Sequence, residues 1–161
     1  MNDRAKYLPT YRGCIVCGDP AANPNSLNLR FRSAGDGVEV DFTPGTVHEG
    51  YKGIVHGGVL CAVLDETIGW AATVARRKYL MTGELAVRFL RPLATGTPVI
   101  VRGRATGHEA RYSLAEGEVV DRLGNVYARA AGKFFVIPDE KAREVHDYLT
   151  FREGDVDFLD D

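Results

Sequence analysis

Asp65 and Glu66 stand side by side in the middle of the most apolar stretch of the sequence, residues 59–75, among Leu60, Val63, Leu64, Ile68, Trp70 and Val74. A carboxylate is costly in such a setting unless it is paired, hydrogen-bonded or at work. On a helix Asp65 shares its face with Cys61, Ala62 and Gly69, all small, so space is left around it for a substrate. Its chemistry would then be that of a general base or a nucleophile. The competing reading leaves one carboxylate solvated while the other caps a backbone group or pairs with an arginine. Glu66, one position round the helix, suits that role better than Asp65.

Just before this stretch comes His56-Gly57-Gly58. Two residues without Cβ stand where the first free N–H groups of a helix point outward, and a carbonyl oxygen can approach them closely. Such amides, reinforced by the helix dipole, make an oxyanion site; the plainer alternative is a tight turn that needs positive φ. Gly58 and Asp65 lie seven residues apart, roughly 10 Å along a helix, too far to serve one carbonyl from the same chain. Either the two features are unrelated or a second subunit supplies one of them. His56 has a side chain suited to proton transfer, but a histidine leading into Gly-Gly is better used to hold the loop by hydrogen bonding, so Asp65 is the preferred base.

Other reactive side chains are more scattered. His48, His108 and His146 fall on different segments without metal-ligand spacing. Cys14-Ile15-Val16-Cys17-Gly18 has the form of half a zinc knuckle, but no second ligand pair clusters elsewhere, so a reduced structural pair is expected and no metal. Cys61 reads as a small core residue. Arg88, Arg91, Arg102, Arg104 and Arg111 recur on later strands and turns, with Arg76-Arg77-Lys78 beyond the apolar stretch. Arginines on strands are by default solvated on the outer face, which is the expectation for Arg102 and Arg104.

The elements that must position these groups follow from periodicity. Residues 1–26 are dense in Pro, Gly and Asn and read as an irregular lead-in. Residues 27–32 and 38–42 alternate apolar and polar around Ser33-Ala34-Gly35-Asp36-Gly37 and read as a hairpin. After an exposed loop at 43–53, a central helix is expected over about 58–76, apolar on nearly every face and closed by basic residues. Period two then returns at 84–90, 99–106, 112–120 and 126–137. The order, two strands, one buried helix and four strands, is α+β: an antiparallel sheet of about six strands wrapped on a single helix. Residues 138–161 read as a short helix and a frayed acidic tail. Little else covers the sheet's other face, so an oligomer is expected.

Composition narrows the function. The 161 residues are 45% hydrophobic and 26% charged, enough for one core and too few for two. Twenty Lys+Arg against 22 Asp+Glu give a net charge of -2, without the basic field that would hold a nucleic acid. The apolar run at 54–75 is broken by His56, Asp65, Glu66 and three glycines, so it is not read as a membrane span. The first residues lack an apolar signal core and three cysteines cannot all pair, which points to a reducing cytoplasm.

Gly53-Ile54-Val55-His56-Gly57-Gly58, six residues, Asp65, then Met81-Thr82 and Val87-Arg88-Phe89-Leu90-Arg91-Pro92 together resemble the hot-dog-fold acyl-CoA thioesterases related to the phenylacetate-pathway enzyme. The resemblance spans roughly residues 27–137, making 1–26 a lead-in and 138–161 an appendage. It implies a hot-dog fold and hydrolysis of an acyl-CoA to free acid and CoA, with no cofactor. The chain is then a homodimer or a dimer of dimers. By position, Asp65 is general base or nucleophile acting from the partner chain, which accounts for the 10 Å separation. The Gly57 N–H, with Gly58, forms the oxyanion hole behind His56, and Thr82 helps place water. Arg88, Arg91 and Arg111 would meet the phosphates of coenzyme A, which arginine forks bind well. Where such enzymes often carry Asn before the turn, this sequence has Gly50-Tyr51-Lys52, so water positioning by an amide does not carry over. The alternatives are a hydratase or dehydratase of enoyl thioesters on the same fold and a non-catalytic acyl-CoA-binding module.

Overall fold

The computed structural model describes residues 6–159. The first five residues, at the start read above as lacking a signal core, and the last two of the acidic tail lie outside them. In chain order the elements are β1 (Thr10–Tyr11), β2 (Arg32–Ala34), β3 (Gly37–Phe42), a 3-10 turn (Thr46–His48), β4 (Glu49–Tyr51), β5 (Ile54–Val55), α1 (Gly57–Arg76), β6 (Leu80–Phe89), β7 (Val99–His108), β8 (Tyr112–Asp121), β9 (Val126–Val136), α2 (Asp139–Asp147) and β10 (Leu149–Thr150). Six strands form one antiparallel sheet in the order β2-β3-β7-β8-β9-β6, and α1 packs along one face of it. This is the expected α+β hot-dog architecture.

The helix seats deeply because the sheet is bare beneath it. Gly103, Gly117 and Gly132, on three neighbouring strands, face Ile68, which is completely buried. A Cβ at Gly103 or Gly117 would come within 2.9 or 2.5 Å of Ile68 Cγ2. An overpacked contact of that kind costs about 1–3 kcal/mol, so these glycines set the depth at which α1, and Asp65 with it, rides over the strands. Val63, Leu64, Thr67 and Ala72 are also fully enclosed. By length and apolar content alone α1 could cross a membrane, with a mean hydropathy of 1.4, contrary to the reading from broken runs; here it is the core helix. It ends at Arg77 in the left-handed region, φ 56°, and Arg76 donates to the Glu109, Ala110 and Tyr112 carbonyls, tying the β7–β8 turn to the helix end.

Two expectations need correction. Residues 27–31 are not a sheet strand. Their alternating apolar side chains do face the core, Phe31 at 1% exposure, but their backbone bonds go to the lead-in: Leu27 N–H to Ile15 O, Leu29 N–H to Val16 O, and Leu8 N–H to Phe31 O. The lead-in is therefore irregular yet built into the fold, with Leu8, Val16 and Cys17 buried. Nor is the tail frayed over its described length. Phe158 is buried edge-on against Trp70 and Tyr79, Asp155 pairs with Arg30 at 2.6 Å, and β1 pairs with β10.

β6 is the sheet's edge. One side is hydrogen-bonded to β9, and among the described residues no strand pairs with the other. Met81, Thr82, Gly83, Glu84, Ala86, Arg88 and Phe89 along it are exposed, an unpaired edge of ten residues of the kind that proteins normally cover or blunt.

Candidate active site

Two cavities open along β6, one at each end. The first, of about 380 Å³, lies beside the strand's beginning and is lined by Asp65, Thr82, Trp70 and Phe134, with Glu66 and Cys14. Asp65 is half-buried, and its Oδ1 accepts a hydrogen bond from the Thr82 hydroxyl at 2.9 Å. Burial pushes its carboxyl above the ordinary range, and the Thr82 bond opposes that rise. A carboxylate held this way is a stronger base than a solvated one and has an oriented lone pair facing the cavity.

The second cavity, of about 650 Å³, is lined by Tyr51, His56, Gly57, Phe89, Leu90 and Arg91 at the other end of β6. His56 caps α1: its backbone is extended, φ -63° and ψ 132°, and its Nδ1 accepts the Gly58 N–H at 2.8 Å. The loop-holding role expected for His56 is what the geometry contains. It also corrects the oxyanion assignment, because the Gly58 N–H is committed to His56 and only the Gly57 N–H remains at the first turn without a protein acceptor among the described residues. Neither glycine has positive φ, so the tight-turn alternative falls away. They are needed for close approach: a Cβ on Gly57 would meet Phe89 Cζ at 3.1 Å, and one on Gly58 would meet His56 Nδ1 at 2.9 Å. Gly50, in the segment where the resemblance leads one to expect Asn, lies against His56 in the same way, 3.1 Å from its Cα and Cδ2 if given a Cβ.

The arginines are dispersed. Arg91 borders the Gly57 cavity, bonded to Asn125 Oδ1 at 3.1 Å and stacked over Tyr127. Arg111 is exposed in the β7–β8 turn, at the end of the sheet where β6 begins. Arg88 is brought to neither cavity. It is in register with Arg129, and through it with Glu118 and Arg102, on the face of the sheet away from α1. That face holds a concavity of about 970 Å³, lined by cross-strand ion pairs, Arg102–Glu118 at 2.6 Å and Arg104–Glu116 at 2.5 Å, that neutralise the carboxylates on its central strand. Arg102 and Arg104 are thus outer-face residues, paired rather than merely solvated.

The lead-in brings an arrangement that sequence spacing does not reveal. Cys14, Cys17 and Glu66 converge, with one thiol or carboxylate atom from each within 4.8 Å of the others. Glu66 is half-buried and, among the described residues, has no arginine paired with it. Its Oε1 accepts from the Trp70 indole N–H at 3.2 Å and its Oε2 faces Cys14 Sγ at 3.5 Å. Burial, then the Cys14 charge, raise its carboxyl to about 7, while the hydrogen bond from Cys17 draws the Cys14 thiol down to about 5. Glu66 is 52 residues away from Cys14 in the chain, so no local pattern could announce it.

Residues 52–128 match the sequence profile of the thioesterase superfamily. The matched segment is just under half of the chain. It contains His56, Gly57, Asp65, Thr82, Arg91 and Arg111, and leaves Cys14 and Cys17 outside. Solved structures agree with the fold: one thioesterase superfamily protein is 26% identical with a TM-score of 0.70, covering 78% of this chain and 63% of that one. The phenylacetic acid degradation protein PaaI of Thermus thermophilus, solved as a point mutant, is 25% identical with a TM-score of 0.64, covering 74% of this chain and 100% of that one. An esterase-like protein of Saccharolobus solfataricus is 31% identical over 86 residues, 53% of this chain. The chain spans 61% of that relative's length.

Proposed function

We propose that the chain hydrolyses an acyl-CoA thioester, with Asp65 as general base and the Gly57 N–H as oxyanion donor from a second copy of the chain. The observation that carries this reading is the division of the two groups between cavities at opposite ends of one unpaired edge strand. Gly57 and Asp65 are eight residues apart on α1, about 12 Å along its axis. Antiparallel pairing of β6 with its own copy around Leu85 and Ala86 sets Thr82 across from Phe89 of the partner subunit. Each Asp65 cavity then adjoins the partner's Gly57 cavity, and the exposed edge is covered. The assembly is a homodimer, or a dimer of dimers if the ion-paired outer faces also meet.

In that composite site Asp65 takes a proton from a water molecule as the water oxygen attacks the thioester carbon. The carbonyl oxygen becomes an oxyanion facing the Gly57 N–H and the positive end of α1. Collapse of the tetrahedral species breaks the C–S bond, and the proton held by Asp65 passes to the departing CoA thiolate. Thr82 keeps Asp65 ionised and oriented. Arg91, on the rim of the Gly57 cavity, and Arg111, exposed at the end of the sheet where β6 begins, supply the positive charge that coenzyme A phosphates need, in a cytoplasmic setting where such thioesters are formed.

Assay of purified protein against acyl-CoAs of graded chain length, aromatic acyl groups included, tests the reading by release of free thiol. Turnover of at least one member, lost in Asp65→Asn, is the expected result. Tight binding of acyl-CoAs without thiol release would make the chain a binding module instead, and hydration of an enoyl thioester without cleavage would make it a hydratase.

A further inference from the structure

Beyond the hydrolytic site, we propose that Cys14, Cys17 and Glu66 bind a zinc ion that fastens the lead-in to the central helix. The loop around the cysteines already has the form of a metal knuckle. The backbone N–H groups of Val16 and Cys17 point at Cys14 Sγ, at 3.3 and 3.5 Å, the Tyr11 N–H points at Cys17 Sγ at 3.4 Å, and the Gly18 N–H closes the turn on the Cys14 carbonyl at 2.9 Å. Gly18 is required by that closure, since a Cβ there would lie 2.2 Å from the Cys14 carbonyl oxygen. Amides directed at sulfur stabilise thiolates, which are the metal-binding form of cysteine.

The third donor comes from α1. Tetrahedral zinc holds thiolate sulfur at about 2.3 Å and carboxylate oxygen at about 2.0–2.2 Å, which places ligand atoms about 3.5–3.8 Å apart. Cys14 Sγ and Glu66 Oε2 are 3.5 Å apart, and all three donor atoms fall within 4.8 Å of one another. The Trp70 indole N–H holds the other Glu66 oxygen and thereby aims Oε2 at the sulfurs, the outer support that ligating carboxylates need. Among the described residues Glu66 has no ion pair with a lysine or arginine, so three acidic groups meet in a largely apolar surround without a cation. A divalent ion with affinity for sulfur is the partner that this chemistry accepts. Cys14 and Glu66 also border the Asp65 cavity, from which water can reach a fourth coordination position.

The test uses the full chain purified without a metal-binding tag. One zinc per chain is expected by mass spectrometry after gel filtration, with cobalt substitution giving thiolate charge-transfer absorption. Cys14→Ser with Cys17→Ser should abolish both, and Glu66→Gln should weaken zinc binding at least about tenfold in competition with a chromophoric chelator. Should Glu66→Gln misfold, the parent still decides: zinc added to stripped protein must slow alkylation of Cys14 and Cys17. Zinc binding no tighter than in the double cysteine variant, or alkylation at the same rate with and without zinc, overturns the proposal. So does a Cys14–Cys17 disulfide in protein kept free of reductant that, once reduced, still takes up no zinc.

Discussion

At its first turn α1 offers a bare backbone amide: Gly57 has an N–H without a protein acceptor among the described residues, and His56 takes the next one. Two turns further on, the same helix carries a half-buried carboxylate braced by Thr82. One region offers a free amide with no carboxylate lining its cavity, the other a carboxylate with no free helix-start amide. Each borders a cavity that ends at β6, and the strand between them has an unused hydrogen-bonding edge. On the proposed reading, a single chain holds two halves of a site, and pairing of identical edges is the economical way to join them.

The amide end is tested most severely by Gly57→Pro. Proline lacks the N–H, fits the first position of a helix, and requires of His56 the extended backbone it already has. The helix should start as before, with kcat falling by about 10²–10³-fold, the usual effect of losing an oxyanion donor. Gly57→Ala, which keeps the N–H and only crowds Phe89, should lose much less. At the acid end, Asp65→Asn should lower kcat at least about 100-fold with KM and melting temperature little changed, because the amide keeps the shape but cannot take a proton. A large loss of stability instead would mean that Asp65 serves packing.

Thr82→Val removes the hydrogen bond that favours ionised Asp65. The carboxyl should rise further, so the acid limb of the kcat/KM profile, below which the base is protonated, should move to higher pH while the plateau changes little. The smallest effect on rate belongs to His56→Ala. Losing the cap should cost about 0.5–2 kcal/mol of stability, read from denaturant midpoints, with kcat within about tenfold of the parent. A loss as deep as that of Asp65→Asn would make His56 the base and dissolve the contrast between the two ends.

These two regions are legible in the sequence to different degrees. A carboxylate inside an apolar helical run is an anomaly that composition alone exposes, so Asp65 stands out, and period-two alternation locates most of the sheet. The use of the Gly58 N–H is hidden because it depends on the rotamer of the His56 ring. The run 27–31 has a strand's alternation, yet its backbone partner is the lead-in, and periodicity reports which side chains face the core without saying what pairs with the backbone. The convergence of Cys14 and Cys17 with Glu66 is out of reach for the same reason: it is a tertiary contact made by an irregular segment. Phe158 anchors a tail whose charges mask it.

The shared site itself is tested most directly by complementation between two inactive chains. Asp65→Asn and Gly57→Pro chains, carrying different tags, are co-expressed and the mixed dimer is purified through both. If Asp65 of one chain works with Gly57 of the other, one of the mixed dimer's two sites is fully intact and the other doubly defective, so thioester hydrolysis should return to about half of the parent rate per dimer. A mixed dimer as inactive as either parent variant would show that both groups act within one chain or that they do not share a reaction.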